Sequence, residues 1–251
     1  MVHFVGAGPG AEDLITLRGA RYIETADAII YAGSLVNPAL LSRAKSGCEI
    51  FNSAEMTLEE VIAVMTAPQR AGAEIVRLHT GDSSIYGAVR EQMELLDAAG
   101  VAYDVCPGVS SFCGAAASLR SEYTLPGISQ TVILTRMEGR TPVPEAEEIS
   151  SLAAHGATMV IFLSTGMLGE LSRRLILGGY TENTPAAIVY KATWPDEKIL
   201  RTTVGEMAEA ARAAGIAKTA LVTVGEFLGG IYDRSKLYDP VFTTEFRRGA
   251  E

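Results

Sequence analysis

Met1-Val2-His3-Phe4-Val5-Gly6-Ala7-Gly8-Pro9-Gly10 opens the chain with an apolar strand that runs directly into a glycine- and proline-rich turn. A turn of this composition between a strand and a helix lets backbone N–H groups approach a ligand with no side chain in the way, so the stretch reads as the start of a ligand-binding α/β unit. Gly6-x-Gly8-x-x-Ala11 formally satisfies the dinucleotide fingerprint, which also asks for an acidic residue about 20 positions on, at the end of the second strand. Asp27 stands near that distance, but it precedes the next apolar run, Ala28 to Ala32, and Pro9 stiffens a turn that dinucleotide sites leave to small residues. The nicotinamide reading is therefore the minor alternative.

The 251 residues are 48% hydrophobic and 20% charged, which is enough to bury a core as one large or two small domains. No apolar run approaches the length of a membrane span, and the N-terminus enters a strand without the basic start and cleavage site of a signal peptide, so no membrane partner and a cytoplasmic location are expected. Cys48, Cys106 and Cys113 have neither metal-ligand spacing nor an even count; they are expected to be reduced and mostly buried. With His3, His79 and His155 scattered as well, no metal site is expected. A net charge of −9 argues against a nucleic-acid partner, and an anionic small ligand would need a local basic pocket.

Strand-like and helix-like segments alternate along the chain. Thr16 is placed to cap a helix whose apolar positions Leu17, Ala20 and Ile23 face one way, and strands are expected at Ala28 to Ala32, Glu74 to Leu78 and Val101 to Val105. Glu122 to Gly127 interrupts this rhythm and reads as a connection between a domain of residues 1–120 and a second of 121–251. In the second half, strands are expected at Thr131 to Thr135, Thr158 to Leu163, Ala186 to Lys191, Leu200 to Val204 and Thr219 to Val224, with helices around Met167 to Leu177 and Glu206 to Ala214. Open α/β sheets bind ligands at the carboxyl ends of their strands, which groups the loops Gly6 to Gly10, Thr80 to Gly87, Pro107 to Ser111, Leu163 to Met167 and Ala192 to Pro195.

Those loops carry a resemblance. Gly6-Ala7-Gly8-Pro9-Gly10 with Leu14-x-Thr16-x-x-Gly19-Ala20, then Thr80-Gly81-Asp82-x-x-x-Tyr86-Gly87 and Pro107-Gly108-Val109-Ser110-Ser111, resemble the first three motifs of the tetrapyrrole methylases. Leu163-Ser164-Thr165-Gly166-Met167, Ala192-Thr193-x-Pro195 and Ala220 to Gly225 continue it in order over nearly the whole chain. The resemblance implies two α/β domains with an interdomain cleft, distinct from the usual Rossmann methyltransferase fold, and methyl transfer from S-adenosylmethionine with release of S-adenosylhomocysteine. On that basis the cofactor contacts are expected at Pro9, Thr80, Gly81, Asp82, Ile85, Tyr86, Ser110, Ser111, Met167, Ala192, Thr219, Ala220 and Leu221. For each, a plain turn, cap or packing role is the alternative.

Glu122 to Arg136, followed by Glu138 to Glu145, is most similar to the branch of this family that methylates precorrin-4 at ring carbon 11. The oxygen-independent branch acting on the cobalt complex is closely similar, and the metal-free substrate is preferred. The implied substrate is a tetrapyrrole polycarboxylate, so an acidic chain must supply local cations; Arg120, Arg136, Arg140 and Lys191 lie in or beside the loop segments and are the candidates, with a solvated surface as the alternative. Asp82, Tyr86 and Glu122 are the groups that could move a proton. The family implies a homodimer. A non-catalytic module that only binds S-adenosylmethionine is the competing class, and turnover distinguishes the two.

Overall fold

The computed structural model of the chain describes residues 1–249 and divides into two compact units, Met1–Ser118 with Lys191–Lys198, and Leu119–Tyr190 with the chain from Ile199 onward. A division at residue 120 assigns Lys191–Lys198 to the second half, whereas in the structure this short stretch packs within the first unit.

The first unit is a five-stranded sheet of β1 (Val2–Gly6), β2 (Ala28–Tyr31), β3 (Glu49–Asn52), β4 (Ile75–His79) and β5 (Tyr103–Cys106), all parallel, in the order β3-β2-β4-β1-β5. In register, Val2 lies beside Ile75 and Tyr103, and Gly6 beside His79. Every residue of β1 and β4 is buried, as expected for strands covered on both faces. Val5, Ile29, Val76 and Leu78 pack with Ile23 of α1 (Leu17–Thr25) on one face. Phe4, Ile30 and Ile75 pack with Val61 and Met65 of α2 (Leu58–Thr66) and Leu96 of α3 (Arg90–Ala98) on the other. The fourth helix, α4 (Ser111–Leu119), follows β5.

From β1 the chain crosses to β2 on one side, whereas from β4 it crosses to β5 on the other, and α1 and α3 lie on opposite faces. The adjacent strands β1 and β4 therefore form the topological switch point, where ligands of open α/β sheets bind. The Thr16 hydroxyl accepts from Gly19 N–H and caps α1, as the sequence indicates. Leu17, expected on the apolar stripe, is 79% exposed instead: it is the first residue after the cap, and the buried side of the helix is Gly19 and Ile23. β3 has no counterpart among the strands expected from sequence, because it is a four-residue edge strand whose Glu49 and Ile50 are exposed. Of the cysteines, all free, only Cys106 is buried; Cys113 is exposed on α4, contrary to the expectation of burial.

The second unit has the sheet order β6-β7-β10-β8-β9, with β6 (Val132–Arg136), β7 (Thr158–Phe162), β8 (Pro185–Tyr190), β9 (Lys198–Thr203) and β10 (Ala220–Val224). β6 and β7 are parallel, and β10 runs antiparallel to both β7 and β8. Met159, Ile161, Ile188 and Val222 form a core with Ile149 of α5 (Ile149–Ala153), Leu171 and Leu175 of α6 (Leu168–Leu177) and Met207 of α7 (Met207–Ala213). Because β10 is reversed, its amino end at Ala220 lies beside Tyr190, at the carboxyl end of β8.

Candidate active site

In the first unit the loops at the switch point are pinned to one another through the backbone. Gly8 N–H donates to Gly81 O at 3.2 Å and Gly81 N–H donates to Gly8 O at 2.8 Å, a two-bond bridge between the loops that follow β1 and β4. Ala7 N–H donates to His79 O. The loop after β5 joins them by close approach: a Cβ on Gly108 would stand 2.1 Å from Gly81 O and 2.7 Å from the Gly6 Cα, so no side chain fits there. Asp82 completes the cluster. Its Oδ2 accepts from Gly108 N–H at 2.7 Å, and its Oδ1 accepts from Ser84 N–H at 2.9 Å and from the Ser84 hydroxyl at 2.5 Å. Partial burial raises the Asp82 pKa, but the Ser84 hydroxyl and the two N–H donors outweigh it and hold the carboxyl below its ordinary value. With both oxygens committed, Asp82 is built as an ionised tie between two loops.

Lys191–Lys198 packs on the first of these loops. Thr193 Oγ1 accepts from Ala11 N–H at 3.0 Å, and the Trp194 indole N–H donates to Pro9 O at 3.1 Å. Asn37 Nδ2 donates to Gly10 O. Among the described residues, the non-glycine positions with left-handed backbone are Tyr86, Ala88, Arg120, Leu163, Lys191, Thr193 and Thr219; all but Arg120 and Thr219 fall in or next to the candidate loops, and Thr219 immediately precedes β10. Such conformations persist only where surrounding contacts over-determine them, and they concentrate at functional sites.

In the second unit the corresponding loops are joined by hydroxyl side chains. Ser164, fully buried, donates to Phe162 O and accepts from Met137 N–H at 2.9 Å, which ties the loop after β7 to the loop after β6. Thr165 Oγ1 donates to Ala220 O at 2.9 Å, which ties it to the start of β10. Met167, Thr219, Ala220 and Leu221 are thus drawn into one neighbourhood, with Met167 Cε facing Gly139 across 3.7 Å from that glycine's missing Cβ position. A separate cavity of ≈ 300 Å³ is lined by Thr165, Gly166, Leu168, Gly169, Ala208, Ala211, Arg212, Ile216 and Ala217; Met167 and the Thr219 to Leu221 segment do not line it.

The four candidate cations differ. Arg136 donates to the carbonyls of Met137, Thr141 and Pro142 and so organises its own loop. Lys191 pairs with Asp196 at 2.6 Å, with its ammonium 5.1 Å from the Trp194 ring centre. Arg120 and Arg140 are exposed and have no ion-pair partner among the described residues. Glu122, exposed, accepts from the Thr124 hydroxyl at 3.4 Å, and Tyr86 is partly exposed at the end of the second loop. At the opposite, amino end of the first sheet, Asp27 accepts from Lys45 Nζ at 2.7 Å and from Glu74 N–H at 2.8 Å, so it is far from the position a ribose-binding acid occupies and the dinucleotide alternative is set aside.

Residues 1–208 match the family model of the Tetrapyrrole (Corrin/Porphyrin) Methylases. The chain belongs to the tetrapyrrole methylase family. This methylase is 54% identical over 98% of its length, and 96% of the relative's, to a cobalt-precorrin-4 C(11)-methyltransferase of Methanocaldococcus jannaschii. It is 45% identical to a precorrin-4 C(11)-methyltransferase of Rhodococcus erythropolis, over 90% of the chain and 91% of the relative. Among solved structures, a cobalt precorrin-4 methyltransferase described as a cobalamin biosynthetic enzyme superposes with a TM-score of 0.89 at 46% identity, covering 91% of this chain and 96% of that one. A uroporphyrin-III C-methyltransferase of Thermus thermophilus in complex with S-adenosylhomocysteine superposes with a TM-score of 0.76 at 25% identity, covering 90% and 98%.

The ties that shape the loops of this methylase are not evident in its sequence. Ser164, Thr165 and Thr193 lie in quoted motifs, but nothing in the sequence shows which backbone groups they bond; Trp194 and Asn37 fall outside the specified motif positions and look like any aromatic or amide.

Proposed function

We propose that this methylase transfers a methyl group from S-adenosylmethionine to ring carbon 11 of precorrin-4, giving precorrin-5 in cobalamin biosynthesis. The observation that carries the reading is the near-full-length match to relatives bearing that activity in their names, with every motif loop in order. The cofactor contacts proposed are Pro9, Thr80, Gly81, Asp82, Ile85, Tyr86, Ser110, Ser111 and Ala192 in the first unit, and Met167, Thr219, Ala220 and Leu221 in the second. Apart from Asp82, whose oxygens are already hydrogen-bonded, these residues are uncharged, and Gly81, Tyr86 and Thr219 among them have left-handed backbone of the kind that concentrates at ligand sites.

When bound, S-adenosylmethionine supplies an electrophilic sulfonium methyl, and the electron pair of the broken C–S bond stays on sulfur as S-adenosylhomocysteine. The chain's own task is positioning. Asp82 fixes its loops within the first unit, and Ser164 and Thr165 fix theirs within the second, so each unit presents preset backbone to its ligand; positioning of this kind is worth several kcal/mol, on the order of 7, of barrier in well-oriented systems. Asp82 moves no proton, since both of its oxygens are already committed to Gly108 and Ser84. Arg120, Arg136, Arg140 and Lys191 are the groups proposed for the substrate carboxylates; the unpaired Arg120 and Arg140 have donors to spare, while Arg136 acts through the loop it shapes. Three free cysteines suit a cytoplasmic enzyme, and the assembly proposed is a homodimer, which light scattering tests.

A second reading concerns the substrate's metal. The metal-free form is preferred from sequence, whereas the relatives at 54% and 47% identity and the structure with TM-score 0.89 carry cobalt in their names. Mass spectrometry after incubation of S-adenosylmethionine with precorrin-4 and, separately, its cobalt complex decides both questions. One added methyl group on either tetrapyrrole, matched by an equal amount of S-adenosylhomocysteine, is the expected result. Cofactor binding without turnover on either form would leave only a binding module.

A further inference from the structure

The chain holds one tryptophan, and it sits on the first glycine loop. Trp194 belongs to the stretch Lys191–Lys198, which leaves β8 of the second unit, packs within the first, and returns as β9. The indole N–H donates to Pro9 O at 3.1 Å, and a Cβ on Gly10 would overlap the indole, 2.0 Å from Cδ1 and 2.3 Å from Nε1. The glycine at position 10 therefore makes room for this ring. Beside it, Thr193 has a left-handed backbone (φ 70°), with its polar groups used on both sides. Its hydroxyl accepts from Ala11 N–H, and its own N–H donates to Glu197 Oε2 at 2.5 Å, an oxygen that also accepts from the Ser118 hydroxyl of α4. Lys191 holds the other end of the stretch to Asp196 and stands 5.1 Å from the indole centre.

We infer that Trp194 is a positioning residue for the methyl-donor site: its indole fixes the Pro9 carbonyl and the path of Gly10, so that the loop is in its binding conformation before the ligand arrives. The inference rests on the proposed contact between Pro9 and S-adenosylmethionine. A loop tied at consecutive residues by an indole N–H, a threonine hydroxyl and Asn37 loses little further freedom on binding, which is how preorganisation raises affinity. Unlike Ala192, Thr193 and Pro195, Trp194 occupies the unspecified position of its motif.

The test uses the full-length protein as wild type, Trp194→Phe and Trp194→Ala. Phe keeps a ring against Gly10 but cannot donate to Pro9 O. Calorimetry with S-adenosylhomocysteine is expected to show affinity reduced about fivefold in Trp194→Phe and tenfold or more in Trp194→Ala, with the KM for S-adenosylmethionine rising in parallel and the KM for the tetrapyrrole unchanged. Hydrogen exchange of the ligand-free variants is expected to be faster at the Gly10 and Ala11 amides, while the melting temperature of Trp194→Phe stays near wild type. Wild-type affinity in both variants, or equal rises in both KM values, overturns the inference. If wild-type protein binds no S-adenosylhomocysteine, the cofactor reading fails and the positioning claim with it; faster exchange at Gly10 and Ala11 in the variants would then leave Trp194 as a loop tie alone.

Discussion

The two units solve the same problem, holding several strand-end loops in fixed relation, by different chemistry. In the first, loops after β1, β4 and β5 meet backbone to backbone, with Gly6 and Gly108 packed so closely against each other and against Gly81 O that neither could carry a side chain, and a single carboxylate, Asp82, closing the cluster. In the second, loops after β6 and β7 and the start of β10 are joined through the hydroxyls of Ser164 and Thr165. Backbone packing of this kind has no tolerance for added atoms, whereas a hydroxyl tie fails one hydrogen bond at a time. Gly6, Gly10 and Gly108 make room for other parts of the chain, since a Cβ on any of them would overlap a neighbouring loop or the Trp194 ring.

If that contrast is correct, the largest effect belongs to Gly108→Ala. The new methyl would meet Gly81 O and the Gly6 backbone, neither of which can move without breaking the loop bridge, so a loss of about 3 kcal/mol is expected in urea or thermal unfolding. A near-neutral result would mean that the loops are not locked by close approach. Gly81→Ala is a gentler probe. At φ 60° a side chain is strained, by roughly 1–2 kcal/mol, so a bulky valine there would damage the loop as well as any binding role.

Next in size is Asp82→Ala, which strands the Gly108 N–H and the Ser84 donors; about 2 kcal/mol of stability should be lost. The pH dependence identifies the cause. Because folding lowers the Asp82 pKa, its contribution is complete above the unfolded carboxylate value of about 3.9 and disappears as pH falls through the lower folded value. The gap between wild type and variant should therefore be constant near neutrality and close only in acid. A gap that closes already between pH 5 and 7 would assign the effect to some other group.

Ser164→Ala tests the second unit's chemistry. It leaves Met137 N–H buried without its acceptor and should cost about 1.5 kcal/mol, with Thr165→Val close to 1 kcal/mol because Ala220 O loses only one donor. If either change costs as much as Gly108→Ala, the proposed difference between the units disappears.

How far the molecule was legible follows from the same contrast. Long apolar runs such as β1, β4 and β7 stood out because burial on both faces demands them, and the Thr16 cap was visible because few residue types can make it. β3 was missed, as an exposed four-residue edge strand carries no apolar pattern, and Leu17 misled because its spacing fits the stripe while its place in the first turn does not face the core. The candidate loops were found through glycine motifs. Their fastenings at Ser164, Thr165 and Trp194 depend on which distant carbonyl or N–H lies opposite, and one chain read in order does not contain that information.

The smallest expected effect concerns Arg136, one of the four candidate carboxylate ligands, which ends β6 where a polar loop begins. Its guanidinium spans three carbonyls of that loop, at Met137, Thr141 and Pro142, a fork that lysine's point charge cannot reproduce. Arg136→Lys should therefore act by loosening the loop that carries the exposed Arg140, and a rise of about fivefold in the KM for the tetrapyrrole, roughly 1 kcal/mol, is expected with the KM for S-adenosylmethionine unchanged. Combining it with Arg140→Ala separates direct from indirect action. If Arg136 works through the loop, the double variant is hardly worse than Arg140→Ala alone, because there is no longer a cation for the loop to present. If the two effects multiply instead, Arg136 holds a carboxylate of its own and the loop bonds seen at its guanidinium are exchanged for the substrate on binding.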